Sequence, residues 1–188
     1  MRAATTAELA AGGNVGLWYG AASVAFALRQ GAPGLGARAL AQLERGQRPA
    51  RAEYDVVLGL SGLGSYLLHR NSEDPLLAEV LVYLVRLTHP LPEADTESSL
   101  WPGWWTDSVP AGKDPRLFAG GHADLGAAHG ITGPLALLAL AYRRGAIVPG
   151  HLEAIERIVT WLETHRQEGP NGGWWPERLT ASELANGQ

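Results

Sequence analysis

The sequence predicts an all-α protein built from paired helices. Apolar residues recur three and four positions apart, no stretch sustains strand-like alternation, and the helical pairs repeat after about 70 residues. The spacing is clearest at Val24 and Leu28, at Leu63, Tyr66 and Leu67, and at Leu76, Val80, Leu84 and Leu87. Glycine, proline or asparagine stops each run, which places helices near 16–30, 34–45, 56–70, 75–88, 128–144 and 150–166, or three helical hairpins.

The first, third and fifth helices open alike, with small residues three apart followed by an apolar run: Gly20 and Ser23, Gly59 and Gly62, Gly130 and Gly133. Glycine costs a helix interior about 1 kcal/mol relative to alanine, so its repeated use in first turns points to close backbone packing around a common centre. For the fourth helix, Ser72 supplies a cap, Glu73 and Asp74 early acidic residues, and Pro75 a first-turn proline. Pro149 before His151 marks the sixth in a similar way. A second echo follows the glycine helices, in Gly103-Trp104-Trp105 and Gly173-Trp174-Trp175; Gly59 to Trp104 is 45 positions and Gly130 to Trp174 is 44. The unit is an inner helix, an outer helix and a Gly-Trp-Trp return loop. The even hydrophobicity of the glycine-led helices puts them inside, and the polar faces of 75–88 and 150–166 suit an outer layer. Repeated helical pairs of this kind imply a solenoid or a closed toroid.

Composition narrows the function classes. The 188 residues suit one domain, 1–188, and 15 basic against 19 acidic side chains give a formal charge of -4 with no block of one sign. That offers no electrostatic handle for nucleic acid or an anionic membrane surface. The longest apolar runs, such as Leu135 to Tyr142, fall far short of the roughly 20 residues of a membrane span, and Met1 to Gly12 lacks a signal pattern, so a cytoplasmic location is expected. The chain has no cysteine, which removes disulfides, thiol nucleophiles and thiolate metal ligands; a metal would need histidine and carboxylate alone.

Three segments, Gly16 to Leu28, Tyr54-Asp55-Val-Val-Leu-Gly-Leu-Ser-Gly62, and Leu125-Gly-Ala-Ala-His129-Gly-Ile-Thr-Gly133 followed by Gly172-Gly-Trp-Trp-Pro176, resemble the lanthionine synthetase C-like cyclases. The resemblance spans nearly the whole chain. It implies an α/α toroid of seven inner and seven outer helices, of which this chain would form an incomplete ring of about three hairpins. It also implies a central zinc held by two cysteines and one histidine. Those ligands belong to segments that follow the glycine-tryptophan loop in the family, so the chain reads as the N-terminal part of a cyclase. No cofactor is expected in this chain, and zinc only in a complete family member. The implied reaction adds a peptide cysteine thiol to dehydroalanine or dehydrobutyrine, forming a lanthionine or methyllanthionine thioether ring. The implied partners are a dehydrated precursor peptide and either the remaining cyclase half or a lanthipeptide dehydratase. An incomplete ring leaves the sides of Leu17 to Leu28 and Ile131 to Leu140 without neighbours, which predicts a homodimer or an edge-paired oligomer.

By motif, Asp55 and His129 take the positions of the family's catalytic aspartate and histidine. They are 74 positions apart, about one repeat, so both fall at inner-helix starts facing one cavity. Thiol addition leaves an enolate that needs a proton, which a histidine can deliver while an acidic neighbour orients its ring. Without the family, Asp55 reads as the cap of a helix beginning at Val56 and His129 as an ordinary helix-start residue. His122, beside Asp124 in the loop leading to His129, is a candidate at the cavity border, or a surface-loop residue. Trp104 and Trp174, with Trp105 and Trp175, are candidates for stacking on a peptide or sugar, or packing elements that close hairpins. His69, His89, His151 and His165 fall at helix ends or outer surfaces, and no residue is assigned to a metal. Two further functions stay open: a non-catalytic peptide-binding or scaffold subunit, and an α/α-toroid carbohydrate-active enzyme. Against the last, Asp55 has no second inner carboxylate to pair with.

Overall fold

In the structure, a computed structural model, residues 48–91 and 101–186 are described. The helices expected near 16–30 and 34–45 lie outside them. The described chain runs through a short helix α1 (Arg51–Tyr54) into α2 (Leu60–Arg70) and α3 (Pro75–Leu87). A 3-10 turn (Pro115–Phe118) and strand β1 (His122–Asp124) lead to α4 (Thr132–Arg143) and α5 (His151–Thr164). Strands β2 (Gln167–Gly169), β3 (Gly172–Trp174) and β4 (Arg178–Thr180) and helix α6 (Ala181–Ala185) follow.

The two described hairpins, α2/α3 and α4/α5, stack side by side: α2 packs on α4 and α3 on α5, giving two layers of helices. Between them lies one apolar core that includes Leu60, Leu77, Leu81, Leu84, Leu137 and Ile158. Each such side chain, fully withdrawn from water, contributes about 1.5–3 kcal/mol against the entropy of ordering the chain. Most of α2 is buried, as an inner helix should be, whereas α3 and α5 each bury one face. No described helix is long and apolar enough to cross a membrane.

Helix starts differ from expectation for identifiable reasons. Helix α2 begins at Leu60 rather than near 56 because the Asp55 side chain takes the Leu58 and Gly59 amides and holds the preceding residues in a turn. Helix α4 begins at Thr132 rather than 128 for a related reason, its preceding loop being closed by bonds from Gly130 to Gly126 and from Ile131 to Asp124. For α3 the cap is Asp74, which accepts the Leu76 amide at 2.9 Å, and not Ser72.

The glycines of these first turns do sit at close approaches. A Cβ on Gly59 would stand 2.6 Å from the Glu53 backbone, and one on Gly133 would stand 2.6 Å from Val56 Cγ2.

The purely helical expectation missed two small antiparallel sheets, β1 with β4 and β2 with β3. Three-residue strands are too short to show alternation. The paired tryptophan motifs also differ from each other. Trp104 and Trp105 are buried, Trp104 edge-on to Trp161 at 5.2 Å and Trp105 stacked on Trp101 at 5.0 Å. Trp174 and Trp175 are exposed on the β2/β3 hairpin and the residue after it, so the repeated sequence does not repeat its environment.

Candidate active site

Asp55 ends α1 and His129 lies in the loop between β1 and α4, so each precedes an inner helix. The two loops are joined directly, the Val56 amide donating to the Ala128 carbonyl at 3.0 Å. That bond sets the neighbours of both residues side by side. Asp55 Oδ2 then meets His129 Nδ1 at 2.6 Å.

The two carboxylate oxygens of Asp55 have separate tasks. Oδ1 accepts the amides of Leu58 at 2.5 Å and Gly59 at 2.9 Å, which fixes the carboxylate, and Oδ2 is left for the imidazole. Capping and orienting the histidine therefore coexist in one side chain. Asp55 is buried, while the His129 side chain is 38% exposed. With Nδ1 facing a carboxylate, the proton belongs on Nδ1 and Nε2 is free to act as an acceptor. Among the described residues Nε2 has no protein partner. A fixed buried carboxylate, an imidazole held in one tautomer and an outward nitrogen form an arrangement suited to taking a proton from one group and giving it to another.

His122 is not on the surface. It is the first residue of β1, fully buried, in a T-shaped contact with the Phe118 ring at 4.9 Å and with no hydrogen-bond partner for either ring nitrogen. Burial lowers its pKa below the ordinary 6.5, nearby Arg178 and Arg51 push the same way, and Asp124 and Asp107 oppose them. The unfolded chain therefore binds this proton first as pH falls. Stability owed to neutral His122 is present above about 6.5 and is lost as pH drops through the lower folded value. Urea unfolding between pH 7.5 and 5 is expected to show the wild type losing stability more steeply than His122→Leu. Parallel curves would mean that His122 does not titrate in this window.

Trp104 is 1% exposed and belongs to the core, which leaves it no free face for a substrate, whereas Trp174 is 50% exposed. Three residues near the pair escaped sequence reasoning: Arg51, Asp124 and Arg178. The Asp124 carboxylate faces Arg51 Nη1 at 3.5 Å and Arg178 Nε at 3.3 Å. Only the position of Asp124, five residues before His129, hinted at its place.

Comparison with known proteins bears on the family and the fold. A family model described as lanthionine synthetase C-like protein matches residues 3–186. The nisin biosynthesis protein NisC of Lactococcus lactis subsp. lactis is 31% identical over 134 residues, covering 70% of this chain and 31% of that protein. A solved structure of nisin cyclase superposes with a TM-score of 0.74 at 23% identity, covering 97% of this chain and 49% of that one. The chain thus spans about half or less of the relatives it matches, and its fold is that of an α/α toroid.

Proposed function

The chain belongs to the lanthionine synthetase C-like family, and from that premise we propose that it is part of a lanthipeptide cyclase acting on a dehydrated precursor peptide. The observation that carries this reading is the 2.6 Å contact between Asp55 and His129 at the family's motif positions. The reaction adds a cysteine S–H across the double bond of dehydroalanine or dehydrobutyrine. Sulfur bonds to the β-carbon, and the π electrons move toward the α-carbon and its carbonyl as an enolate. His129 Nε2 accepts the thiol proton as sulfur attacks, Asp55 stabilises the imidazolium, and Nε2 then returns the proton to the α-carbon. The proton count closes and both side chains end as they began.

The family resemblance also implies a zinc held by two thiolates and an imidazole. The residues here do not fit that set: the chain has no cysteine, and among the described residues no three histidine, aspartate or glutamate side chains converge as ligands. Asp55 and His129 are engaged with each other. The steps given to this chain are accordingly those of its own acid and base. The partner in the proposal is a source of thiolate donors, another part of the toroid. The exposed apolar side chains of the α4/α5 hairpin, Leu140, Tyr142, Ile147, Leu152 and Val159, support a neighbour on that edge.

The test counts free thiols by alkylation and mass spectrometry after incubation with a dehydrated, cysteine-containing peptide. Thiols should disappear above the spontaneous rate when these residues are combined with a segment that brings thiolate zinc donors, and not with the 188 residues alone. No consumption in the combined sample would favour a peptide-binding scaffold.

A further inference from the structure

We propose that Asp124 is a positioning residue that sets the contact between Asp55 and His129. This inference rests on the reading of that pair as the reacting groups. The loop that presents His129 begins and ends on Asp124. Its Oδ1 accepts the Gly126 amide at 2.9 Å, and its main-chain carbonyl accepts the Ile131 amide at 2.9 Å. The loop closes tightly on this residue, since a Cβ on Gly130 would stand 2.4 Å from the Asp124 carbonyl oxygen. Six residues are thereby wrapped around one anchor, with His129 among them.

The other carboxylate oxygen reaches the segment that carries Asp55. Oδ2 faces Arg51 at 3.5 Å, and the carbonyl of Arg51 accepts the Asp55 amide at 3.2 Å. Arg178, paired with Asp124 across the β1/β4 ladder, places a second guanidinium on the same oxygen at 3.3 Å. Asp124 is almost wholly buried and both arginines are mostly so. Removing the carboxylate would leave two cations facing each other in a region of low dielectric, with the loop freed at one end. Asp124 touches neither the imidazole nor the Asp55 carboxylate in any recorded bond, so its effect on the pair passes through the two loops.

The test follows the His129 Nδ1–H resonance in the ¹⁵N-histidine-labelled full chain, assigned by its loss in His129→Ala, together with ring closure in the combined sample described above. In Asp124→Ala the resonance should vanish or move clearly upfield, and ring closure should slow by about 10–100-fold. Asp124→Asn keeps an oxygen for the Gly126 amide but not the charge that faces Arg51, so it should recover only part of the shift and of the rate lost in Asp124→Ala, a graded rescue that general destabilisation would not give. Should Asp124→Ala fail to fold, Arg51→Gln, which breaks the link to the Asp55 segment, should shift the same resonance. An unchanged resonance in the folded variant overturns the positioning role. A lost resonance with ring closure at the wild-type rate upholds the positioning role and overturns the reading of the pair as reacting groups.

Discussion

His129→Ala is expected to slow ring closure by about 10²–10⁴-fold, the range general acid–base groups contribute, while the chain stays folded. The side chain is more than a third exposed and its recorded bond is to Asp55, so its removal opens little core. What disappears is the nitrogen that takes the thiol proton and returns it to carbon. Asp55→Asn should act in the same direction by a different route. An amide keeps an oxygen for the Leu58 and Gly59 amides but carries no charge to stabilise an imidazolium. Thermal unfolding within a few degrees of wild type alongside slowed thiol consumption would separate chemistry from folding. Wild-type rates in both variants would end the assignment.

Trp104→Ala should cost about 3–5 kcal/mol of stability, a large share of the 5–15 kcal/mol typical of a domain. The indole is buried edge-on to Trp161 of α5, and the Tyr54 hydroxyl donates to the Trp104 carbonyl at 3.3 Å. Trp174→Ala, at a half-exposed site, should cost well under half as much. Urea unfolding of the two variants measures the difference. Equal stability of Trp104→Ala and wild type, with weaker peptide binding in the former, would restore Trp104 as a stacking platform.

The paired residues were legible because each lies in a dense local motif, Tyr-Asp before glycines and Ala-His-Gly before glycine, and because their 74-residue separation matches the repeat. Periodicity located four of the described helices, since each is long and one-sided enough to show it. The starts of α2 and α4 were off by four residues, where side-chain bonds from Asp55 and loop bonds at Asp124 compete with helical ones. The burial of His122 and Trp104 left no local signal, because polarity and aromaticity alone do not separate contact with solvent or substrate from packing, which tertiary structure decides. The Arg51, Asp124 and Arg178 cluster left almost no trace, because an ion pair between residues 73 positions apart has no local pattern.

The most direct test of the central claim, that Asp55 and His129 act as one proton-transferring unit, is a double-mutant cycle on the rate of thiol consumption. The variants are Asp55→Asn, His129→Ala and the two combined. Residues that work only together lose the same stabilisation once, so the double variant should be about as slow as the slower single one. A double variant slowed by the product of the two single effects would contradict the claim and leave each residue acting on its own.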